Sequence, residues 1–331
     1  FSLSLQKIII MKKIILTLSL IVSSISLFAQ GSPHVKVFSN FNYDIDADPE
    51  YAFMEFEVKR AYLGYGYKLA DGFTAKVTFD VGNNSSGSTY TAFLKIASLS
   101  WKANDNMNVN FGMIGAKNFK FMEKAWGHRY IYKSLQDEHK WANSADVGVS
   151  LDYVFNSKLN LDAQVLNGEG YKKEQESNGL FRGSAGMTYK ASDNLAVRVH
   201  YDVVPRETYG ENVAHQNTTS AAMAYSGDGY KVGLEYNIQE NAQNVTDKER
   251  TGISAYGSYD MSNGMSLFGR YDELASDEDW NISRDGSFMI LGIEKEMVKG
   301  VKVALNYQSW TNAAENAEAE ESVFLNFEYK F

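Results

Sequence analysis

Val323-Phe324-Leu325-Asn326-Phe327-Glu328-Tyr329-Lys330-Phe331 closes the chain, and its pattern decides the fold. The odd positions are Val, Leu, Phe, Tyr and Phe, while the even ones after Phe324 are Asn, Glu and Lys. Side chains alternate across a β-strand with a period of two, so a strand with one apolar and one wet face is expected here. A strand of this kind, ending on an aromatic carboxyl terminus, suits the closure of a transmembrane barrel. Phe327, Tyr329 and Phe331 are accordingly read as the signal for the barrel-assembly machinery. A soluble sandwich strand is the competing reading.

The other end of the chain points the same way. Met11-Lys12-Lys13, the apolar run from Ile14 to Phe28, and Ala29-Gln30 have the layout of a cleavable secretory signal. The apolar run is about 15 residues, short of the roughly 20 that a spanning helix needs. Residues 1–10 read as an upstream leader, 11–29 as the signal peptide with cleavage after Ala29, and 30–331 as one barrel domain. Gln30 is not the cysteine that a lipoprotein would carry.

Composition narrows the function. The chain has no cysteine, hence no disulfide framework and no thiolate metal site. Its five histidines are scattered, and neither a cofactor nor a metal site is expected. The formal charge is −9; losing Lys7, Lys12 and Lys13 leaves about −12, the wrong sign for a nucleic-acid partner. Aromatic residues make up 14 %, there are only 3 prolines, and no apolar stretch beyond residue 29 is long enough for a spanning helix. A membrane protein without such helices must be a closed barrel, the other arrangement that pairs every backbone polar group.

Alternation from residue 30 onward predicts sixteen strands, at about 34–43, 53–69, 73–82, 91–102, 107–115, 147–155, 159–167, 181–190, 195–204, 219–226, 230–239, 251–260, 265–273, 286–297, 301–310 and 322–331. Connections alternate in length. Seven are tight and rich in Gly, Asn, Asp and Ser, as at Asp71-Gly72 and Gly227-Asp228-Gly229. Eight are longer and polar. Sorting by length is barrel topology, with turns on one side and loops on the other. An all-β, antiparallel, transmembrane barrel of sixteen strands in a Gram-negative outer membrane is the expected fold and location. Its surroundings there would be lipid and lipopolysaccharide.

Phe56-Glu-Val-Lys-Arg60-Ala-Tyr-Leu-Gly64, followed by Gly72-Phe-Thr-Ala-Lys-Val, resembles the first hairpin of the phosphate-selective porin O and P family. Val165-Leu-Asn-Gly-Glu-Gly-Tyr171 resembles that family's seventh strand and its exit. The resemblance implies a diffusion channel for small hydrophilic solutes, commonly a homotrimer, with the third loop folded into the lumen. It also implies an arginine ladder. Arg60, Arg182, Arg198 and Arg270 stand as the rungs, with Lys76 on the same wall, but Asp202 and Asp272 interrupt them.

The connection 116–146 is about 30 residues long, against about 10 for its fellows. It carries Lys117, Lys120, Lys124, Arg129, Lys133 and Lys140 against Glu123, Asp137, Glu138 and Asp146. Folded inward, Lys117, Lys120, Lys124, Arg129 and Lys133 would form a constriction favouring anions. Folded outward, they would be solvated charges on an external hairpin. Phe119, Phe121, Trp126, Tyr130, Tyr132 and Trp141 either pack this loop on the wall or offer a platform to sugars.

Passive diffusion of small hydrophilic solutes, with an anion or phosphate preference, is the leading function. An adhesive or structural barrel within a larger complex is the alternative. A rim-site hydrolase is the third possibility, but no Gly-x-Ser-x-Gly motif accompanies His128, His200 or Asp202. No enzymatic activity is expected.

Overall fold

The computed structural model describes residues 31–47, 50, 53–83, 89–207 and 212–331. The leader and signal assignments at 1–29 lie outside them.

Sixteen antiparallel strands close on themselves. They are β1 (Gly31–Asp44), β2 (Met54–Ala70), β3 (Phe73–Asn83), β4 (Tyr90–Lys102), β5 (Met107–Gly115), β6 (Ala145–Val154), β7 (Leu159–Leu166) and β8 (Arg182–Lys190). The second half holds β9 (Leu195–Val204), β10 (Gln216–Gly227), β11 (Tyr230–Glu240), β12 (Arg250–Asp260), β13 (Met265–Ser276), β14 (Gly286–Val298), β15 (Val301–Asn312) and β16 (Ala319–Lys330). The connection between β5 and β6 carries α1 (Lys117–Trp126) and the single turn α2 (Leu135–Glu138).

Each strand pairs with its sequence neighbours, and β16 returns to β1, with Val37 opposite Tyr329 and Ser39 opposite Phe327. Phe331 completes the seam: Val35 N–H donates to its carbonyl at 2.9 Å, and its own N–H donates to Val35 at 3.1 Å. Among the described residues no edge strand is left to pair with another chain. Tight hairpins have the backbone they require. Asp228 and Gly229 both take positive φ (51° and 79°), as a two-residue turn matching strand twist demands.

The two faces of the sheet are chemically opposite. On β9, Val197, Val199 and Tyr201 are exposed, whereas Arg198, His200 and Asp202 are buried. Leu63, Phe79, Trp101, Leu234, Leu291 and Leu305 continue the exposed apolar face on other strands. Asn237, Ser254, Asp272, Asn306 and Asn326 continue the polar one. This inverts the pattern of a soluble protein, in which charged groups are rarely buried unless paired.

Candidate functional site

The connection between β5 and β6 occupies the polar face. Its helix α1 forms because Phe119, Met122 and Trp126, spaced three and four apart, give one apolar stripe, and all three are buried. Gly127 ends it in the left-handed conformation (φ 74°), its N–H bonded to Glu123 O at 3.0 Å. Trp126, at the end of the stripe, joins a buried cluster with Tyr256, Phe268, Phe288 and Ile290 from β12, β13 and β14.

Hydrogen bonds fix this connection to nine strands. Arg129 reaches Tyr62 on β2 at 3.3 Å, and Lys117 pairs with Asp152 on β6. The Lys117 N–H donates to Gln164 on β7 at 2.7 Å, and Arg198 on β9 donates to Lys117 O at 3.4 Å. Gln136 Nε2 donates to Ser220 on β10 and Asn237 on β11, both at 2.7 Å. Tyr256 on β12 donates to Met122 O at 3.3 Å, and Arg270 on β13 to Lys133 O at 2.7 Å. Tyr130 donates to Glu294 on β14 at 2.8 Å. Cavities flank the connection. One of about 640 Å³ reaches from Lys124 and His128 to the turn Ser192-Asp193-Asn194. Another, of about 430 Å³, lies between Trp141 and the long connection at Asn281 and Arg284.

The five basic residues expected at a constriction fall in three places. Lys117 is buried against Asp152, and Lys120 is exposed one helical turn further on. Lys124 lines the larger cavity. Arg129 and Lys133 share a small cavity of about 220 Å³ with Lys59 and Arg60. Arg129 pairs with Glu123 at 2.9 Å and Asp137 at 3.1 Å, and Lys133 with Glu138 at 3.1 Å. Burial opposes the charge on Arg129, but Tyr62, Asp137 and Glu123 outweigh it and hold the guanidinium above its ordinary range.

The four arginine rungs all face the polar side, and each holds a carboxylate. Arg60 pairs with Asp80 at 3.3 Å, Arg182 with Asp202 at 2.7 Å, Arg198 with Asp162 at 2.6 Å, and Arg270 with Asp272 at 2.7 Å. The Arg198–Asp162 pair spans β8, and Gly186 makes room for it: a Cβ there would lie 2.4 Å from Arg198 Nη2. Arg270 is wholly buried, its guanidinium carbon 5.1–5.8 Å from the rings of Trp126, Tyr132 and Tyr256, so it anchors the connection. Lys76 is exposed. Neither ring nitrogen of His200 finds a partner among the described residues, and Asp202 is engaged by Arg182, so no His–Asp relay is assembled.

One cluster escapes sequence reading. Arg60, Lys95 and Arg129 all point donors at the Tyr62 hydroxyl, at 3.3, 3.4 and 3.3 Å. Asp80 sits beneath, accepting from Tyr171 at 2.5 Å and 3.6 Å from Lys95. Lys172 lies 5.0 Å from the Phe93 ring and 5.7 Å from that of Tyr171. Lys59 and Lys95 reach this region because β2 and β4 each bulge there, skipping one residue in the ladder. The signal was available: the exposed apolar residues change parity from Phe56 and Val58 to Leu63 and Tyr65, and from Leu94 to Leu99 and Trp101.

No protein-family model matches the chain, and no curated protein matches it. Solved structures do. The outer membrane channel DcaP of Acinetobacter baumannii aligns at TM-score 0.69 and 13 % identity, over 91 % of this chain and 97 % of that one. OmpF of Salmonella typhi, in complex with daunomycin, aligns at TM-score 0.67 and 11 % identity, over 91 % and 97 %. OmpT of Vibrio cholerae in its trimer form gives 0.59 and 14 %, over 91 % and 99 %. At such identities the likeness is one of fold: a closed antiparallel barrel of the kind these outer-membrane proteins share.

Proposed function

We propose that the chain is an outer-membrane porin of a Gram-negative bacterium, giving passive diffusion to small hydrophilic solutes through a lumen narrowed by the connection 116–144. The observation carrying this reading is the bonding of that one segment to nine strands of a closed sheet, with cavities on either side of it. A segment lying across the interior meets strands from many directions, whereas an external hairpin meets only its neighbours. The exposed apolar face suits a lipid surround, and closure satisfies every strand edge within it. Export by a cleavable signal peptide, assembly by the barrel machinery through Phe331, and a homotrimeric state complete the reading. The trimer form of the OmpT neighbour supports the last.

Selectivity is set where the lumen is narrow and the field is focused by low-dielectric walls. Arg60, Lys95, Arg129 and Lys172 face Asp80, Glu123 and Asp137 there, an excess of cations that favours anions. A phosphate ladder finds no support, since Arg60, Arg182, Arg198 and Arg270 are each engaged by a carboxylate. Swelling of liposomes carrying the refolded protein, in isotonic arabinose, tests the channel itself. Vesicles that hold a correctly folded barrel and fail to swell would end this reading.

A further inference from the structure

The cavity toward the long connections has a lining unlike the rest of the polar face. Tyr132 and Phe288 stack there with ring centroids 4.3 Å apart, and Trp141 and Trp310 complete an aromatic wall. Arg250 lies over Trp141, its guanidinium carbon 4.6 Å from the ring centroid. Its Nε and Nη2 both donate to Gln239 Oε1, at 2.9 and 2.6 Å. Arg284 and Lys140 add two exposed cations to the lining.

Acidic groups offset only part of this charge: Asp285 faces three cations, Arg250, Arg284 and Lys140. Glu138, in the lining, is held by Lys133 at 3.1 Å. Asp285, beside Arg284, accepts from the Ser276 N–H at 3.0 Å, from the Ser276 hydroxyl, and from Asn281 at 3.5 Å. Two buried nitrogens of lining residues, Trp141 Nε1 and His139 Nε2, have no hydrogen-bond partner among the described residues. Burial keeps the His139 ring below its ordinary pKa, so it stays neutral at pH 7. Buried polar groups are normally satisfied, and an indole N–H can only donate, so an acceptor belongs here.

We infer that this cavity is a binding site for a small organic carboxylate carrying a flat apolar ring. The aromatic wall takes the ring, while Arg250 and Arg284, with Lys140, take the carboxylate by charge-assisted hydrogen bonds. A volume of about 430 Å³ fits a small ring compound and is far larger than inorganic phosphate requires. A sugar would call for free carboxylate and amide acceptors, and the lining carboxylate is committed to Lys133. This deepens the porin reading by naming a solute class, and it rests on that reading for passage but not for binding.

Benzoate is the probe, titrated against refolded protein in detergent with tryptophan fluorescence as the readout, since Trp141 and Trp310 form the wall. Saturable quenching is expected, with benzyl alcohol at least about tenfold weaker, as loss of a charge-assisted bond implies. The double variant Arg284→Gln, Lys140→Gln should weaken benzoate by about the same factor and leave benzyl alcohol unchanged. Heat-modifiable migration on gels confirms that the variant is folded. The inference is overturned by an absence of saturable quenching or by equal affinity for benzyl alcohol. Competition by inorganic phosphate as strong as by benzoate, or tighter binding of arabinose, also overturns it. A protein that binds benzoate but fails to swell liposomes would keep this site and lose the channel.

Discussion

Arg270→Met should loosen the connection 116–144 and destabilise the barrel around it. Arg270 and Asp272 have fully buried side chains, bonded through Nε at 2.8 Å and Nη2 at 2.7 Å. Methionine fills much of the arginine's volume but leaves Asp272 charged and buried, with only the Ser254 hydroxyl as donor. Removing one partner of a buried pair costs about 3–5 kcal/mol. The same change deletes the bond to Lys133 O, a charged hydrogen bond contributing about 1.5–3 kcal/mol to holding the connection in place. The double variant Arg270→Met, Asp272→Leu separates the two effects. It relieves the orphaned carboxylate and should restore about half of the lost stability to urea. Recovery stays partial because Glu235, buried beside the pair, still lacks its cation. It does not restore the Lys133 bond, so current noise in planar bilayers should stay raised in both variants. A single variant within about 1 kcal/mol of the parent, or a double variant no better than the single, would refute the buried-pair reasoning.

Three further outcomes follow from particular contacts. Lys95→Gln with Lys172→Gln should shift the zero-current potential in a salt gradient toward cations. Neutralising Glu315, Glu318, Glu320 and Glu321 should shift it little, because exposed charges are screened within about 8–10 Å; the reverse ranking would show that the Tyr62 cluster does not line the narrow point. Gly186→Ala should separate Arg198 from Asp162 and destabilise the barrel by about 1–3 kcal/mol, with an unchanged urea midpoint as the contrary result. Deleting Phe331, which is 81 % exposed, should lower insertion in cells sharply, while stability after refolding in vitro falls only by its two backbone bonds to Val35, about 1–3 kcal/mol. Equal losses in both assays would make it a packing residue, and Glu315→Ala serves as the neutral control.

The architecture was legible because a barrel writes its period into every strand. Sixteen predicted strands correspond to sixteen found, and the fifteen connections sort by length as read. Several strand ends were read short at the long connections. β10 begins at Gln216 and β13 runs to Ser276, because the ladder continues beyond the band where apolar residues alternate. Bulges hid Lys95, since a strict period of two assigns it to the apolar face set by Leu99 and Trp101. The pairing of each arginine with an aspartate was hidden too. For Arg198 register decides it, bringing Asp162 past Gly186, and register is set by hydrogen bonding between neighbouring strands rather than by residue type alone. Helix α1 was in the sequence at Phe119, Met122 and Trp126, but the connection was read for its charges and its aromatic content, not for their helical spacing.

The central claim is that the connection 116–144 narrows a conducting lumen. Single-channel conductance of the purified protein in planar bilayers, compared with a variant in which residues 118–143 are replaced by a short Gly-Ser linker, tests it directly. The intact protein should give discrete conductance steps, and the shortened one should give steps several-fold larger with weaker anion preference. Steps of equal size in the two proteins, or none in either despite correctly folded barrels, would contradict the claim.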